Sequence, residues 1–165
     1  MDKFQQSQKN KLFKTPTHDP YSASRIEGAA VCPKCEAVYG AGTWSWKRPE
    51  NTVVHGAQTL TCPACRRIED DRPAGTLTLS GSFLHKHRGE IIQLIEHTEK
   101  KEKAEHALER IIKLDDATDD LVVTTTGIHL ANRLGHALEA AFKGSSEYHY
   151  SDSEYGVNVR WSREE

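Results

Sequence analysis

The stretch that decides the fold opens VCPKCEAVYGAGTWSW (31–46) and closes TCPACRR (61–67). Cys32, Cys35, Cys62 and Cys65 are the 4 cysteines of the chain, two C-x-x-C pairs with 26 residues between them. Each Cys-Pro-x-Cys knuckle turns tightly and aims its two thiolates at one place. Two knuckles brought together by a hairpin form a tetrahedral sulfur cage of the size zinc prefers. Four sulfurs close the shell and leave no position for a catalytic water, so one structural Zn2+ is expected. Val38, Tyr39, Thr43, Trp44 and Trp46, Thr59 to Thr61, and Thr76 to Leu79 read as strand material. Gly40, Gly42, Pro49, Gly56, Pro73 and Gly75 punctuate them. Residues 29–81 therefore read as a small zinc ribbon. It has too few apolar side chains to hold itself together, so the metal would supply much of its folding free energy, on the order of 10 kcal/mol.

Other cysteine chemistries fit less well. Two C-x-x-C pairs without a thioredoxin-like βαβ pattern argue against a redox dithiol. The polar N-terminus has no apolar core of a secretory signal, which disfavours disulfides. Iron held by four thiolates satisfies the same spacing and stays open. His55, His85 and His87 read as surface or hydrogen-bonded residues, since four cysteines already complete a site.

Working outward, residues 1–28 carry Lys3, Lys9, Lys11, Lys14 and Arg25 with no apolar periodicity, which reads as a mobile basic arm. Residues 82–107 turn helical: Ile91, Leu94 and Ile95 share a face and a charged stretch follows at 99–103. A break near His106 is preferred to one long helix running through Ile112. Beyond it, 108–165 reads as an α+β domain of ββαββ order, a helix on an antiparallel sheet. Its strands are Arg110 to Leu114, Leu121 to Thr126, Glu147 to Ser151 and Val157 to Trp161, with an acidic turn at 115–120. Its helix carries Leu130, Leu134, Leu138 and Phe142 at intervals of three or four, with Thr126 placed to cap the start and Gly144 the end. Gly135 and Ala131 leave room for close approach to the sheet.

Composition bounds the function. The 165 residues are 36% hydrophobic and 28% charged, with a net charge of -2. No apolar run approaches the roughly 18 residues of a membrane span. The charge is uneven: residues 1–88 carry +5 and residues 89–165 carry -7. A basic front half can face a phosphate-rich partner while the acidic half stays in water. Arginines on a rigid ribbon clamp phosphates bidentately, and an exposed tryptophan stacks on an unpaired base. The candidate nucleic-acid contacts are Lys9, Lys11, Lys14, Lys34, Trp46, Lys47, Arg48, Arg66, Arg67, Arg72, Lys86 and Arg88, with Trp44 and Trp46 also candidates for packing. No Gly-rich phosphate loop, G-x-S-x-G or H-E-x-x-H occurs, and no histidine sits in a recognisable array with carboxylates, so an enzyme is not expected.

The runs VCPKCEAVYGAGTWSW, TCPACRRIEDDRPAGTLTLSGSFLHKHRGEI, LVVTTTGIHLANRLGHALEAAF and VNVRWSR resemble the short bacterial relatives of the archaeal and eukaryotic large-ribosomal-subunit export adaptor, the family named for nonsense-mediated decay factor three. The resemblance spans about residues 29–163. It implies zinc ligation by Cys32, Cys35, Cys62 and Cys65 and association with the large ribosomal subunit. Nuclear export is not implied, because the chain lacks the length and further domains of the eukaryotic adaptor. The expectation is a cytoplasmic, rRNA-binding, non-enzymatic factor placed near the tRNA sites of the large subunit and touching its proteins. Blocking tRNA or subunit joining would suit dormancy under stress (hibernation) or a late assembly check. The rival reading is a zinc-stabilised protein-interaction adaptor without direct RNA contact; a third is a redox-sensitive zinc switch.

Overall fold

The computed structural model describes residues 18–22, 26–46 and 56–165. They form a mixed α+β structure with two sheets, a small one around the cysteines and a larger one beneath two helices.

The small sheet holds β1 (Ala30–Val31), β2 (Val38–Gly40), β3 (Thr43–Ser45) and β4 (Gln58–Thr59) in the order β3-β2-β1-β4. The β2–β3 hairpin turns through Ala41 and Gly42, both at positive φ. Next comes helix α1 (Pro63–Asp70). The second C-x-x-C pair is thus not a hairpin knuckle: Cys62 is the N-cap of α1 and Cys65 lies in its first turn. The local cause is Pro63, whose ring fixes a helical φ at the first position where no amide donor is needed. The Cys62 sulfur accepts the Cys65 amide at 3.4 Å, as a capping side chain does.

The larger sheet holds β5 (Gly75–Ser80), β6 (Ile111–Asp115), β7 (Leu121–Thr125), β8 (Ser145–Tyr150) and β9 (Val157–Ser162), in the order β6-β7-β5-β9-β8. Two expectations are corrected here. The Thr76–Leu79 strand, expected inside the 29–81 ribbon, is the centre of this second sheet. The sheet is also mixed rather than antiparallel, because β5 pairs antiparallel with β7 but parallel with β9. The reason is burial. Leu77 and Leu79 alternate with threonines, and both leucines are fully buried, aligned with Val123 and Val159 and with Leu121 and Trp161. Among the described residues, the small sheet offers no comparable apolar face.

Helix α2 (Ser82–Glu105) follows β5, with a non-helical residue at His87, and ends at His106, whose φ is -131°. Helix α3 (Ile128–Phe142) lies beside it. Ile91 and Ile95 of α2 and Leu130, Leu134 and Leu138 of α3 share one core with the sheet leucines, valines and Trp161. Gly135 lets α3 sit close: a Cβ there would lie 2.7 Å from the Tyr148 hydroxyl and 3.0 Å from Val159. Thr126 does not cap α3. Its hydroxyl donates to Leu108 O at 2.6 Å, the N-cap is Gly127, and the Glu109 carboxylate accepts the Leu130 amide at 3.0 Å instead. The other sheet face carries Thr76, Thr78, Asn158 and Arg160, half-buried or exposed. No helix of the described residues is long and apolar enough to cross a membrane.

Part of the expected mobile arm is docked. His18 to Ser22 lie against α1: the Asp19 carboxylate accepts from Arg67 Nη2 at 2.5 Å, and the Tyr21 hydroxyl donates to Asp70 at 2.9 Å. Lys3, Lys9, Lys11 and Lys14 lie outside the described residues.

Two measurements check this architecture. Leu77→Ala removes the central side chain of the larger sheet and should cost about 2–5 kcal/mol in denaturant unfolding. Burial pushes the Glu109 carboxyl pKa up, while the Leu130 amide works against that shift. A carboxyl whose folded pKa exceeds its unfolded value contributes fully below the unfolded pKa, and that contribution is lost as pH rises through the folded one. Glu109→Gln keeps an acceptor for Leu130 and should flatten this part of the stability–pH curve just above the ordinary carboxylate range.

Candidate metal centre

The first knuckle forms because Glu36, at φ 69°, reverses the chain after Cys35. Its amide donates to Cys32 O at 3.0 Å, and the Cys32 amide donates to Ala37 O at 2.8 Å. The second pair arrives on the rigid start of α1. The Cys62 amide donates to the Cys32 sulfur at 3.3 Å, locking the two halves together. All four sulfurs lie within 4.8 Å of one another. Cys35 and Cys62 are 3.7 Å apart, too far for a disulfide. A tetrahedron of sulfurs around an ion at about 2.3 Å has an edge of about 3.8 Å. The donor set and this spacing fit a single four-thiolate metal site.

Three of the four cysteines are buried and Cys35 is half-buried. Cys32 is fully buried, and its companions in the small core are Ala30, Ala37, Trp44, Ala64 and Ala107. Trp44 is the one large side chain among these fully packed residues. A core built from alanines and cysteines buries little apolar area, so cohesion falls to the sulfurs and whatever they bind.

A group with no visible role in the sequence completes the site. Arg110, 6% exposed, donates through Nη1 to Cys65 Sγ at 3.1 Å and through Nη2 to Cys35 Sγ at 3.0 Å and Cys62 Sγ at 3.5 Å. Its Nε donates to Ala107 O at 2.9 Å, and the Trp46 ring lies 5.3 Å from its guanidinium carbon. Burial opposes the charge on Arg110, but the hydrogen bond to Cys35 and the neighbouring thiols outweigh it and hold its pKa above the ordinary value. The thiols respond unequally. Burial also opposes ionisation of Cys32, yet backbone donors at Cys62, Cys35 and Lys34 bring it down to about 6. Burial pushes Cys62 and Cys65 up. A bound cation reverses that last effect, since a coordinating thiol is deprotonated outright.

Among the described residues, several candidate RNA contacts are taken up by partners within the chain. Arg67 is corrected from a contact to an internal anchor: it is 4% exposed and donates to Asp19 and, at 2.7 Å, to Arg72 O. Arg66 donates to Tyr21 O. Trp46 is likewise spent on packing, its indole donating to Lys103 O at 2.6 Å. Arg88 holds the acidic turn, paired with Asp116 and donating to Asp119 O at 2.8 Å. Lys86 pairs with Glu165 at 2.5 Å and Lys34 pairs with Glu69, both with exposed side chains. Arg72 is exposed. Lys9, Lys11, Lys14, Lys47 and Arg48 lie outside the described residues, as does His55.

Among known proteins, no family model matches the chain, and neither a curated protein nor a solved structure matches it.

Two variants test the centre. Arg110→Met keeps the bulk and removes the charge beside the thiolates; it should weaken zinc retention by roughly 10–100-fold in chelator competition. Cys62→Ser should abolish metal binding by the cysteine site. By amide exchange it should lose protection in β1 to β3 and α1 while β5, β7 and β9 stay protected, because those strands belong to the larger core.

Proposed function

We propose that the protein is a zinc-holding, non-enzymatic factor of the large ribosomal subunit, acting in the cytoplasm on rRNA near the tRNA sites. Its task on this reading is dormancy under stress or a late assembly check. The resemblance of the knuckle, PAGTLTLSG and TTTGIHLA segments supports this, and so does the closed four-sulfur centre. Zinc is the ion that suits a buried, all-thiolate tetrahedral site with no open position.

One observation carries the reading. The centre fixes α1 in place, and two exposed cations sit at that helix: Lys34, from between the first two ligands, reaches Glu69 of α1, and Arg72 follows its C-cap Asp71. An exposed pair such as Lys34–Glu69 is worth about 0–1 kcal/mol and exchanges readily for a phosphate. Lys34 and Arg72 therefore take over the role first given to Arg66 and Arg67.

A second reading has its own support. Arg67, Arg88 and Lys86 are all held by carboxylates of the same chain, which leaves fewer cations for phosphate and favours a protein-interaction adaptor. Salt separates the two. RNA binding through cations predicts that log affinity falls with log salt by roughly 0.7–0.9 per phosphate contact. Lys34→Ala with Arg72→Ala should then weaken binding to purified large subunits and flatten that slope, with zinc content unchanged. A salt-independent affinity that the double variant retains would favour the adaptor. Failure to co-sediment with ribosomal particles from growing and starved cells would remove the ribosomal assignment.

A further inference from the structure

We infer that Glu102, His106 and His129 form a second site for a divalent transition-metal ion, separate from the cysteines. Glu102 lies in the last turn of α2, His106 is that helix's C-cap, and His129 is in the first turn of α3. The end of one helix and the start of the next therefore present three ligands at one place. Their donor atoms all lie within 4.8 Å of one another. The His129 Nε2 to Glu102 Oε2 distance is 3.1 Å. A tetrahedral ion with bonds of about 2.0 Å to nitrogen and oxygen has ligand edges of about 3.3 Å. The His106 and His129 rings meet edge to face with centroids 5.5 Å apart. Both rings are exposed, so rotation about their side-chain bonds closes the remaining gap.

Two further observations point to a ligand. The Glu102 side chain is 11% exposed and its Oε1 accepts from Arg133 Nε at 3.0 Å. Arg133 thus fixes the carboxylate and leaves Oε2 turned toward the imidazoles, the arrangement by which an outer partner orients a metal ligand. The second observation is a cavity of about 850 Å3 between the cysteine module and the ends of the helices, with His106 and His129 in its wall beside Glu105 and Glu109. Two imidazoles and one carboxylate suit zinc or a neighbouring late first-row ion rather than calcium or magnesium. Three protein ligands leave a coordination position for water or for an anionic oxygen of a molecule entering the cavity.

The test uses the full chain, whose cysteine site takes the first equivalent of the added ion. Equilibrium dialysis against Zn2+ should give two ions per chain, and one ion for His129→Ala and for Glu102→Gln. Titration with Co2+ should show thiolate-to-cobalt charge transfer saturating with the first equivalent, while the second adds only the weaker ligand-field absorption of nitrogen and oxygen ligands. In both variants the second equivalent should bind at least about 100-fold more weakly. Their charge-transfer band should be unchanged, which shows that the variants remain folded around the first ion. One ion per chain at zinc concentrations far above those that saturate the cysteines would overturn the proposal. So would a second ion held equally well by the parent chain and both variants.

Discussion

The contact between the Arg110 guanidinium and three cysteine sulfurs is the constraint around which the rest is arranged. A buried guanidinium without a partner is costly, and so is a cluster of thiolates whose charge exceeds that of the ion they hold. Each answers the other. The arginine is anchored at the far end: its amide donates to Thr126 Oγ1 at 2.9 Å and its carbonyl accepts the Thr126 amide at 2.8 Å. The charge that balances the sulfur cage is therefore held next to β6 and β7 of the larger sheet. Ala107, Leu108 and the Trp46–Lys103 hydrogen bond reinforce the same junction. The small module is less a free ribbon than an attachment whose metal site is finished by the other domain.

This construction changes the meaning of the charge split along the chain. The front half is basic, but several of its cations are answered by carboxylates near them in space. Asp19 meets Arg67, Glu69 meets Lys34, Asp116 meets Arg88 and Glu165 meets Lys86. Two of these acids come from the acidic back half. The surplus of one half is partly neutralised by the other, so a linear count of charge overstates the positive surface left for a partner. The exposed pairs still differ from the buried one: solvent screens Lys34–Glu69, whereas Arg67–Asp19 is enclosed by packing.

Legibility varied with how local the cause was. The cysteine pairs were readable because a ligand needs a thiol at fixed spacing and few other patterns place four of them so. Helix α3 was readable from its leucine interval, and the break at His106 from the Val and Thr run and the acidic turn beyond it. The second knuckle's helix was signalled by Pro63 but hidden by the expectation of a symmetric ribbon. Strand β5 was recognised as a strand and assigned to the wrong sheet, since alternation says which face is apolar and not what covers it. Arg67 was misassigned because adjacent arginines look alike in sequence. One of them points at Asp19, 48 residues away, and only packing shows which.

Composition and spacing alone determined that four sulfurs would converge, that the cysteine module would lack an apolar core, and that a leucine-faced helix would cover a sheet. These follow from side-chain chemistry and short-range periodicity, which act within a few residues. Tertiary structure decided the rest: the parallel pairing of β5 with β9, the reach of Arg110 into the cysteine cage, and the meeting of Glu102 with His129. Each joins residues between 27 and 82 positions apart. No local preference encodes such a pairing; it is selected by which arrangement buries the most apolar surface while leaving the fewest buried charges unanswered.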